Sequence, residues 1–245
     1  MNAPSPQRAA LRDRLLDRFL LHGTVVSVER VAARMRRLRI EGPGLGGTAC
    51  RPGQQVRVHV DGLTRRTYSV WHHDPAGDAI ELCVMEHPEP GPGARWGAAA
   101  EAGTRVRLGR PEGSFVLRPE AGFHVFVGEE TAMPALGAML AALPGDASVH
   151  GCVETATAGD RLPLAHADRL AWRLRGDTSA AASGALAEAV RALDLPDDPA
   201  GGAAYVAGEA RTVQLVRDVL VRERGWERRS VLTKPFWSPG RRGLE

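Results

Sequence analysis

Four consecutive residues, Arg66-Thr67-Tyr68-Ser69, combine a guanidinium, a planar aromatic ring and hydroxyl groups within one strand-like run. The two-residue period of a β-strand directs Arg66 and Tyr68 to one face and Ser69 to the other. Where such a strand curls at a barrel rim, these groups could hold a phosphate, an aromatic ring and a ring nitrogen respectively. The motif is therefore a candidate site for a nucleotide cofactor that carries a flat ring.

A second motif, Gly128-Glu129-Glu130-Thr131-Ala132-Met133-Pro134, is typical of a strand that ends in a turn and starts a helix, where nucleotides commonly bind. Two further predicted strands end similarly, at Val153-Glu154 and Gly208-Glu209. The glycines would let a ligand approach, and the carboxylates would lie near ribose hydroxyls or a nicotinamide amide. Alternatively, each glutamate merely caps the following helix. The nicotinamide-site residues predicted here are Gly128, Glu129, Thr131, Ala132, Gly208, Glu209 and Ala210.

A third motif, Gly91-Pro92-Gly93-Ala94-Arg95-Trp96, is a glycine-rich turn that enters a predicted helix. Backbone N–H groups at such a helix start, aided by the helix dipole, can bind phosphate oxygens. The turn alone is a weak signal, but it follows the Arg-x-Tyr-Ser motif closely. Together the three motifs suggest a flavin held by one domain and a nicotinamide delivered by another. No Gly-x-Gly-x-x-Gly follows the first strand of the second region, so the usual dinucleotide fingerprint is absent from the sequence.

The composition is that of an ordinary globular protein of one large domain or two modest ones. The chain has 245 residues, of which 43% are hydrophobic and 25% charged. Net charge is +3 and the arginines are scattered among acids, which argues against a nucleic-acid surface. The three cysteines and the histidines lack ligand spacing, so we expect no metal site and no disulfide framework, consistent with a reducing cytoplasm. We expect a monomer.

The predicted elements fall into three parts. Residues 1–21 have the apolar spacing of an amphipathic helix, either packed on the protein or lying at a membrane surface, and neither a signal peptide nor a membrane span; we expect no stable membrane association. Residues 22–120 show alternating strands separated by turn formers, with a lone helix at 93–100, and predict an antiparallel six-stranded β-barrel. Residues 121–245 alternate strands with helices at 133–143, 179–193 and 211–224, which predicts a Rossmann-like parallel α/β domain with a C-terminal tail. The fold class is β + α/β.

The order of these motifs resembles the siderophore-interacting protein family, FAD-dependent ferric-siderophore reductases within the ferredoxin-NADP reductase-like superfamily. Besides the three motifs, the likeness rests on His87, on Tyr205-Val206-Ala207-Gly208-Glu209-Ala210 and on the tail Lys234-Pro235-Phe236-Trp237. The resemblance implies a β-barrel domain that binds FAD and an α/β domain that binds NADPH or NADH.

The resemblance also implies roles in the FAD site. Arg66 would pair with the pyrophosphate, Tyr68 would stack on the isoalloxazine, and Ser69 would hydrogen-bond the flavin near its reactive nitrogen. Two departures weaken FAD binding relative to the family pattern: Trp71 stands where an arginine is frequent, and Ala94 where a serine is frequent. The implied FAD-site residues are Arg66, Thr67, Tyr68, Ser69, His87, Gly91, Gly93, Ala94, Arg95 and Trp96.

The implied reaction is reduction of Fe(III) in a siderophore by NAD(P)H or by reduced ferredoxin, with release of Fe(II). Basic residues near the flavin would attract the anionic ferric complex, unless the tail is simply a solvated basic terminus. Two alternatives stay open: a general NAD(P)H:flavin or ferredoxin-type reductase that feeds a partner protein, and a non-catalytic siderophore-binding flavoprotein. The sequence does not decide between NADH and NADPH. The implied substrate residues are Lys234, Trp237, Arg241, Arg242 and His73.

Overall fold

The computed structural model describes residues 20–61 and 64–241. Most of the amphipathic segment expected in residues 1–21, and the predicted substrate residue Arg242, lie outside the described residues. Six antiparallel strands close into a barrel in the order β1-β2-β5-β4-β3-β6. These strands are β1 (Leu21–Ala32), β2 (Met35–Glu41), β3 (Gln55–Asp61), β4 (Thr64–Asp74), β5 (Ala79–Met85) and β6 (Arg105–Leu108).

Alternation of apolar and polar residues fills the barrel. Val56 and Val58 of β3 are fully buried, whereas Arg57 between them is exposed, because successive strand side chains point to opposite faces. Helix α1 (Pro92–Ala99) packs against β3, β4 and β5. The approach is close at Gly97, where an added Cβ would lie 2.3 Å from a methyl carbon of Val84. The helix therefore completes the barrel's apolar core.

The rest of the described chain forms a five-stranded parallel sheet in the order β11-β10-β7-β8-β9, with three helices. The prediction of a barrel followed by a parallel α/β region is thus confirmed. Among the described residues, no helix combines the length and the apolar character needed to cross a bilayer. The elements are β7 (Phe123–Glu129), α2 (Met133–Ala141), β8 (Val149–Thr155), β9 (Ala171–Leu174), α3 (Gly184–Arg191), β10 (Gly202–Glu209), α4 (Ala210–Asp218) and β11 (Val231–Trp237).

All three helices of this region are shorter than the sequence predicts, and the one expected at 133–143 ends at Ala141. The helix expected at 179–193 starts only at Gly184, because the Ser183 hydroxyl caps it by accepting a hydrogen bond from the Leu186 amide at 3.1 Å. The helix expected at 211–224 begins one residue earlier and ends at Asp218, where the backbone widens into a π-helical turn over Val219–Glu223. Capping and local unwinding depend on contacts that hydrophobic periodicity does not encode.

The barrel and the sheet share one apolar core. A single cluster joins Met35 and Phe115 from the barrel side with Phe126 of β7 and with Leu136 and Met139 of α2. Four of these five side chains are at most 3% exposed, and Phe115 is 6% exposed. Domains that move relative to one another usually meet through smaller and more polar interfaces. We infer that the barrel and the sheet hold a fixed mutual orientation.

A buried ionic group reinforces this contact. The Glu130 carboxylate accepts hydrogen bonds from Arg175 at 2.6 and 2.8 Å, from the Ala156 amide at 2.7 Å, and from Arg34 at 2.8 Å. Arg34 belongs to the turn between β1 and β2, and its Nε also donates to Asp160 at 2.8 Å. Burial would raise the pKa of Asp160, but hydrogen bonds from Arg34 and the neighbouring Thr157 hold that pKa below its usual value. Barrel and sheet are thereby bridged by charge as well as by packing.

Replacing Glu130 should therefore strongly destabilise the fold. Glu130→Ala leaves two guanidiniums without their shared buried partner, so we expect the free energy of unfolding to fall by about 3–5 kcal/mol. Urea-induced unfolding followed by circular dichroism measures this. The matched control is Glu188→Ala, whose side chain is 71% exposed and pairs with Arg191 on α3; its effect should stay below about 1 kcal/mol. Equal effects of the two substitutions would show that the buried group contributes nothing special.

Candidate functional site

Strand β4 presents the Arg-Thr-Tyr-Ser motif on two faces, as the strand period predicts. Arg66 lies opposite Val58 and Tyr68 opposite Val56 in the antiparallel pairing with β3. Because directly paired residues project to the same side of a sheet, Arg66 and Tyr68 share the face of the two buried valines. Ser69 lies on the other face and is itself buried.

Tyr68 carries an unsatisfied polar atom. Its phenol oxygen is buried and has no hydrogen-bond partner among the described residues. Burial raises the pKa of the phenol, only partly opposed by the charge of Arg66, so the group stays a neutral O–H donor at physiological pH. An unpaired buried polar group costs about 1–3 kcal/mol. A ligand atom that accepts from this hydroxyl would remove that penalty.

The start of α1 lies directly against the Arg-Thr-Tyr-Ser motif. A Cβ added to Gly93 would be 2.6 Å from the Tyr68 hydroxyl oxygen and 3.1 Å from Cγ of Arg66. Only glycine fits this contact. Among the described residues no side chain caps the helix at Gly91, and the amides of Gly93 and Ala94, in its first turn, have no acceptor within the helix. The stem of Arg66, the Tyr68 phenol and the start of α1 thus lie together. The Arg66 guanidinium donates to the Arg65 carbonyl at 2.6 Å. A helix start beside an arginine suits a phosphate-bearing cofactor.

The other residues predicted around this place have different surroundings. Trp96 packs on Tyr68, with ring centroids 5.5 Å apart and planes inclined by 39°. Arg95 donates to the Pro90 carbonyl at 2.6 Å and so braces the turn before α1. His87 is exposed beyond β5, and partial desolvation and the nearby charge of Arg34 lower its pKa.

The three glutamates at strand ends differ in their contacts, and Glu129 is bound on several sides. Glu129 is 2% exposed and accepts from the Thr131 amide at 2.9 Å, from the Thr131 hydroxyl and from the Trp237 indole at 3.0 Å. Burial raises the pKa of Glu129 despite these hydrogen bonds. A predicted nicotinamide residue is thus tied to a predicted substrate residue, Trp237, across the carboxyl edge of the sheet.

Glu209 has the simpler role that the sequence also allowed. Its carboxylate caps α4 by accepting from the Thr212 amide at 2.8 Å, and it accepts from the Ala182 amide at 3.0 Å. Burial alone would raise the pKa of Glu209, but these backbone donors outweigh it and lower the pKa. Glu154 accepts from the Ser183 hydroxyl at 2.9 Å through one oxygen, while its other, buried oxygen has no partner among the described residues.

Packing inside the protein accounts for both predicted glycines at this edge. A Cβ on Gly128 would lie 2.5 Å from Cβ of Ala132, at the turn into α2. Gly208 has φ +128°, and a Cβ there would lie 2.7 Å from a carboxylate oxygen of Glu129. Ala210 follows as the first residue of α4. These glycines let the strand ends and helix starts approach each other closely.

The predicted substrate residues are dispersed. Lys234 and Trp237 lie on β11, and Arg241 is exposed beyond its end. Lys234 is two residues from both Leu232 and Phe236, which pack on the shared core. Because residues two apart on a strand share a face, Lys234 projects to the sheet face that meets the barrel. His73 lies on β4 instead and contacts the Leu45 carbonyl through Nε2 at 3.1 Å. His73 therefore belongs to the barrel, whereas Lys234 and Trp237 belong to the parallel sheet.

Comparison with known proteins matches this chain to one family. A family model described as the siderophore-interacting FAD-binding domain matches residues 60–115, and one described as siderophore-interacting protein matches residues 121–240. The chain belongs to the siderophore-interacting protein family. The match to the FAD-binding domain covers β4, β5, β6 and α1 of the barrel. The unpaired Tyr68 phenol, Arg66 and the uncapped start of α1 in this stretch fit the ring and phosphates of that cofactor.

Relatives and solved structures agree with this assignment. The ferric vibriobactin reductase ViuB of Vibrio cholerae is 27% identical over 178 residues, which are 72% of this chain but 65% of that protein, just under two thirds of its length. A siderophore utilization protein from T. fusca superimposes with a TM-score of 0.79 at 26% identity, covering 92% of this chain and 95% of the other. Phthalate dioxygenase reductase shares the fold alone, with a TM-score of 0.72 at 16% identity over 92% of this chain and 71% of the other.

Sequence reasoning missed two features of this siderophore-interacting protein. Glu130 lies inside a predicted motif, but its partners Arg34 and Arg175 are far away in sequence and gave no signal. Trp71 was recognised only as a departure from the family pattern, although it packs against Gly137 of α2. Within residues 20–61 and 64–241, no group of three or more His, Cys, Asp or Glu side chains is placed to hold a metal ion.

A substitution at Gly93 tests the FAD site. Gly93→Ala places a methyl against the Tyr68 hydroxyl, so we expect the FAD dissociation constant to rise by about tenfold, or about 1.4 kcal/mol. The matched control is Gly47→Ala, an exposed glycine in the same half of the molecule, where an added Cβ meets nothing within 4 Å. Quenching of FAD fluorescence on titration with apoprotein measures both. If the two variants bind FAD alike, the contact between α1 and Tyr68 does not shape the site.

Opposite pKa shifts of two buried glutamates predict opposite pH effects. Glu129 has a raised pKa, so its stabilising contribution is complete below the unfolded value of about 4.3 and is lost as pH rises through the folded pKa. Relative to Glu129→Gln, the wild type should therefore lose stability as pH rises. Glu209 has a lowered pKa, so relative to Glu209→Gln the wild type should gain stability as pH rises from acid values. Midpoints of urea unfolding between about pH 3.5 and 8 measure both differences in stability. If the difference between wild type and variant changed in the same direction with pH for Glu129→Gln and Glu209→Gln, the opposite pKa shifts would be contradicted.

Proposed function

We propose that this protein is an FAD-dependent ferric-siderophore reductase that takes electrons from NAD(P)H or from reduced ferredoxin. The observation that supports this most is the unpaired, buried Tyr68 hydroxyl beside Arg66 and the uncapped start of α1, within the FAD-binding domain of the family. The name of a relative, ferric vibriobactin reductase, points to the same substrate class. We propose domain bounds at 22–120 for the FAD domain and 121–245 for the NAD(P)H domain.

Bound FAD would supply the redox chemistry, because a flavin accepts a hydride and can pass its two electrons on singly. The chain's own residues bind and orient it. Arg66 pairs with the pyrophosphate through charge-assisted hydrogen bonds of about 1.5–3 kcal/mol. The amides of Gly93 and Ala94 take phosphate oxygens at the helix start. Tyr68 offers its ring for stacking and its hydroxyl as a donor, and Ser69 offers a hydroxyl on the opposite face of the strand.

The nicotinamide would bind at the carboxyl edge of the parallel sheet, where ligands of open α/β sheets are found. Glu129 and Thr131 lie at that edge, held together by hydrogen bonds. Trp237 lies beside them through its bond to Glu129. Glu209 contributes indirectly, by fixing the start of α4. The donor would thereby approach from the sheet while the barrel holds the acceptor.

The ferric complex is the substrate, and its reduction needs no acid–base residue, because Fe(III) gains one electron and no bond to the protein forms. Fe(II) binds the hard oxygen ligands of siderophores more weakly, so reduction promotes release of the metal. Catecholate complexes are anionic, and positive charge near an open flavin edge raises their encounter rate. Lys234, the single lysine of the chain, projects toward the barrel face and is half-buried. Arg241 adds a second, exposed charge.

The direct test is an anaerobic assay with purified protein, FAD and each reduced donor in turn. NADH, NADPH or reduced ferredoxin should bleach the flavin absorbance, and a ferric catecholate siderophore should then restore it while an Fe(II) chelator traps the metal. Bleaching without Fe(II) would favour a reductase that serves a partner protein. A flavoprotein that binds siderophore but is bleached by none of these donors would be non-catalytic. Either result would overturn the proposed reaction.

The proposed substrate contact can be probed at Lys234. Lys234→Ala should raise the KM for an anionic ferric catecholate by about threefold to tenfold, with a smaller change in kcat, because the charge acts mainly on encounter. The effect should shrink as ionic strength rises. Arg222→Ala is the matched control, since that side chain is 75% exposed and lies beyond α4. Equal KM values in the two variants would remove Lys234 from the substrate site.

A further inference from the structure

Trp71 occupies an unusual place on the FAD-binding strand. It follows Ser69 by two residues, at a point where the pairing of β4 with β5 shifts register between Val70 and His72. Such an irregularity re-aims a side chain relative to regular alternation. Trp71 is half-buried and packs on the apolar core shared by the barrel and the sheet. It is therefore a contact between the two halves of the molecule rather than a surface aromatic.

Trp71 packs against Gly137 of α2, where the missing side chain leaves a notch in the helix surface. A Cβ added to Gly137 would lie 2.3 Å from Cζ3 and 2.8 Å from Cη2 of the Trp71 ring, and 3.0 Å from a methyl carbon of Leu164. The outer edge of the indole thus fills the space that a side chain at position 137 would need. Glycine inside a helix is otherwise unfavourable by about 1 kcal/mol relative to alanine. The packing of Trp71 accounts for its presence.

The contact of the Trp71 ring with Gly137, called the wedge below, links two parts of the proposed active site. Strand β4 carries Tyr68 and Ser69, and α2 starts directly after the turn that follows Glu129 and contains Thr131. The neutral ring of Trp71 reaches from this strand to α2, in the half of the molecule that contains the parallel sheet.

We propose that Trp71 is a positioning residue for the flavin site, and that its wedge against Gly137 fixes the Tyr68–Ser69 end of β4 relative to α2. This inference rests on the proposed function, because it concerns how the FAD site is held. FAD affinity then depends on an apolar contact between the domains. A substitution at Gly137 should weaken FAD binding, even though Gly137 lies in the half of the molecule that contains the parallel sheet and far in sequence from the Arg-Thr-Tyr-Ser motif.

A double-mutant cycle on the FAD dissociation constant tests the wedge, with apoprotein of the full chain and quenching of FAD fluorescence as the readout. Gly137→Ala puts a methyl where the indole edge lies and should raise the dissociation constant by about tenfold. Trp71→Phe lacks the Cζ3 and Cη2 atoms that meet the notch. In the Trp71→Phe background, Gly137→Ala should therefore change the constant by less than about twofold.

Gly184→Ala is the matched control, because this glycine also lies in a helix and an added Cβ there meets nothing within 4 Å. It should leave FAD binding unchanged. The inference is overturned if Gly137→Ala binds FAD like the wild type, or if its effect is the same in both backgrounds. Wild-type protein that binds no FAD at all would instead refute the proposed function, so the two failures are distinguishable.

Discussion

The apolar core shared by the barrel and the parallel sheet is the constraint on which the rest of the structure depends. Phe115 from the barrel side and Met139 of α2 belong to one buried cluster, and the Glu130 carboxylate joins Arg34 to Arg175 across the same boundary. A buried carboxylate is tolerated only when hydrogen-bonded donors replace water around it. Since both contacts need one arrangement of the two halves, they fix where β4 lies relative to α2.

In this fixed arrangement the barrel and the sheet each contribute one binding surface to the site. The barrel offers Arg66, Tyr68 and free helix amides, which suit phosphates and a flat ring. The carboxyl edge of the sheet offers Glu129 with its ties to Thr131 and Trp237. Electron transfer requires closeness more than acid–base chemistry, so a rigid frame that brings two binding surfaces together suffices for the proposed reaction.

Much of the fold was predictable because its signals are local. Alternating valines with turn formers predict a barrel, and buried runs alternating with helices predict a parallel sheet. The helix ends were not predictable, since the start of α3 depends on the Ser183 cap. Within the candidate site, contiguous motifs identified residues such as Tyr68 and Gly93. The capping role of Glu209 was one of the two roles that the sequence allowed. The roles of Glu130 and Trp71 could not be predicted, because each depends on partners brought together only by folding.

If one flavin site is held by a core common to both halves, scanning calorimetry of the apoprotein at increasing FAD concentrations should show a single unfolding transition. Its midpoint should rise with FAD, because a ligand that binds only the folded state stabilises the whole cooperative unit. Two separate transitions, or a midpoint that does not move with FAD, would contradict a flavin site held by such a core.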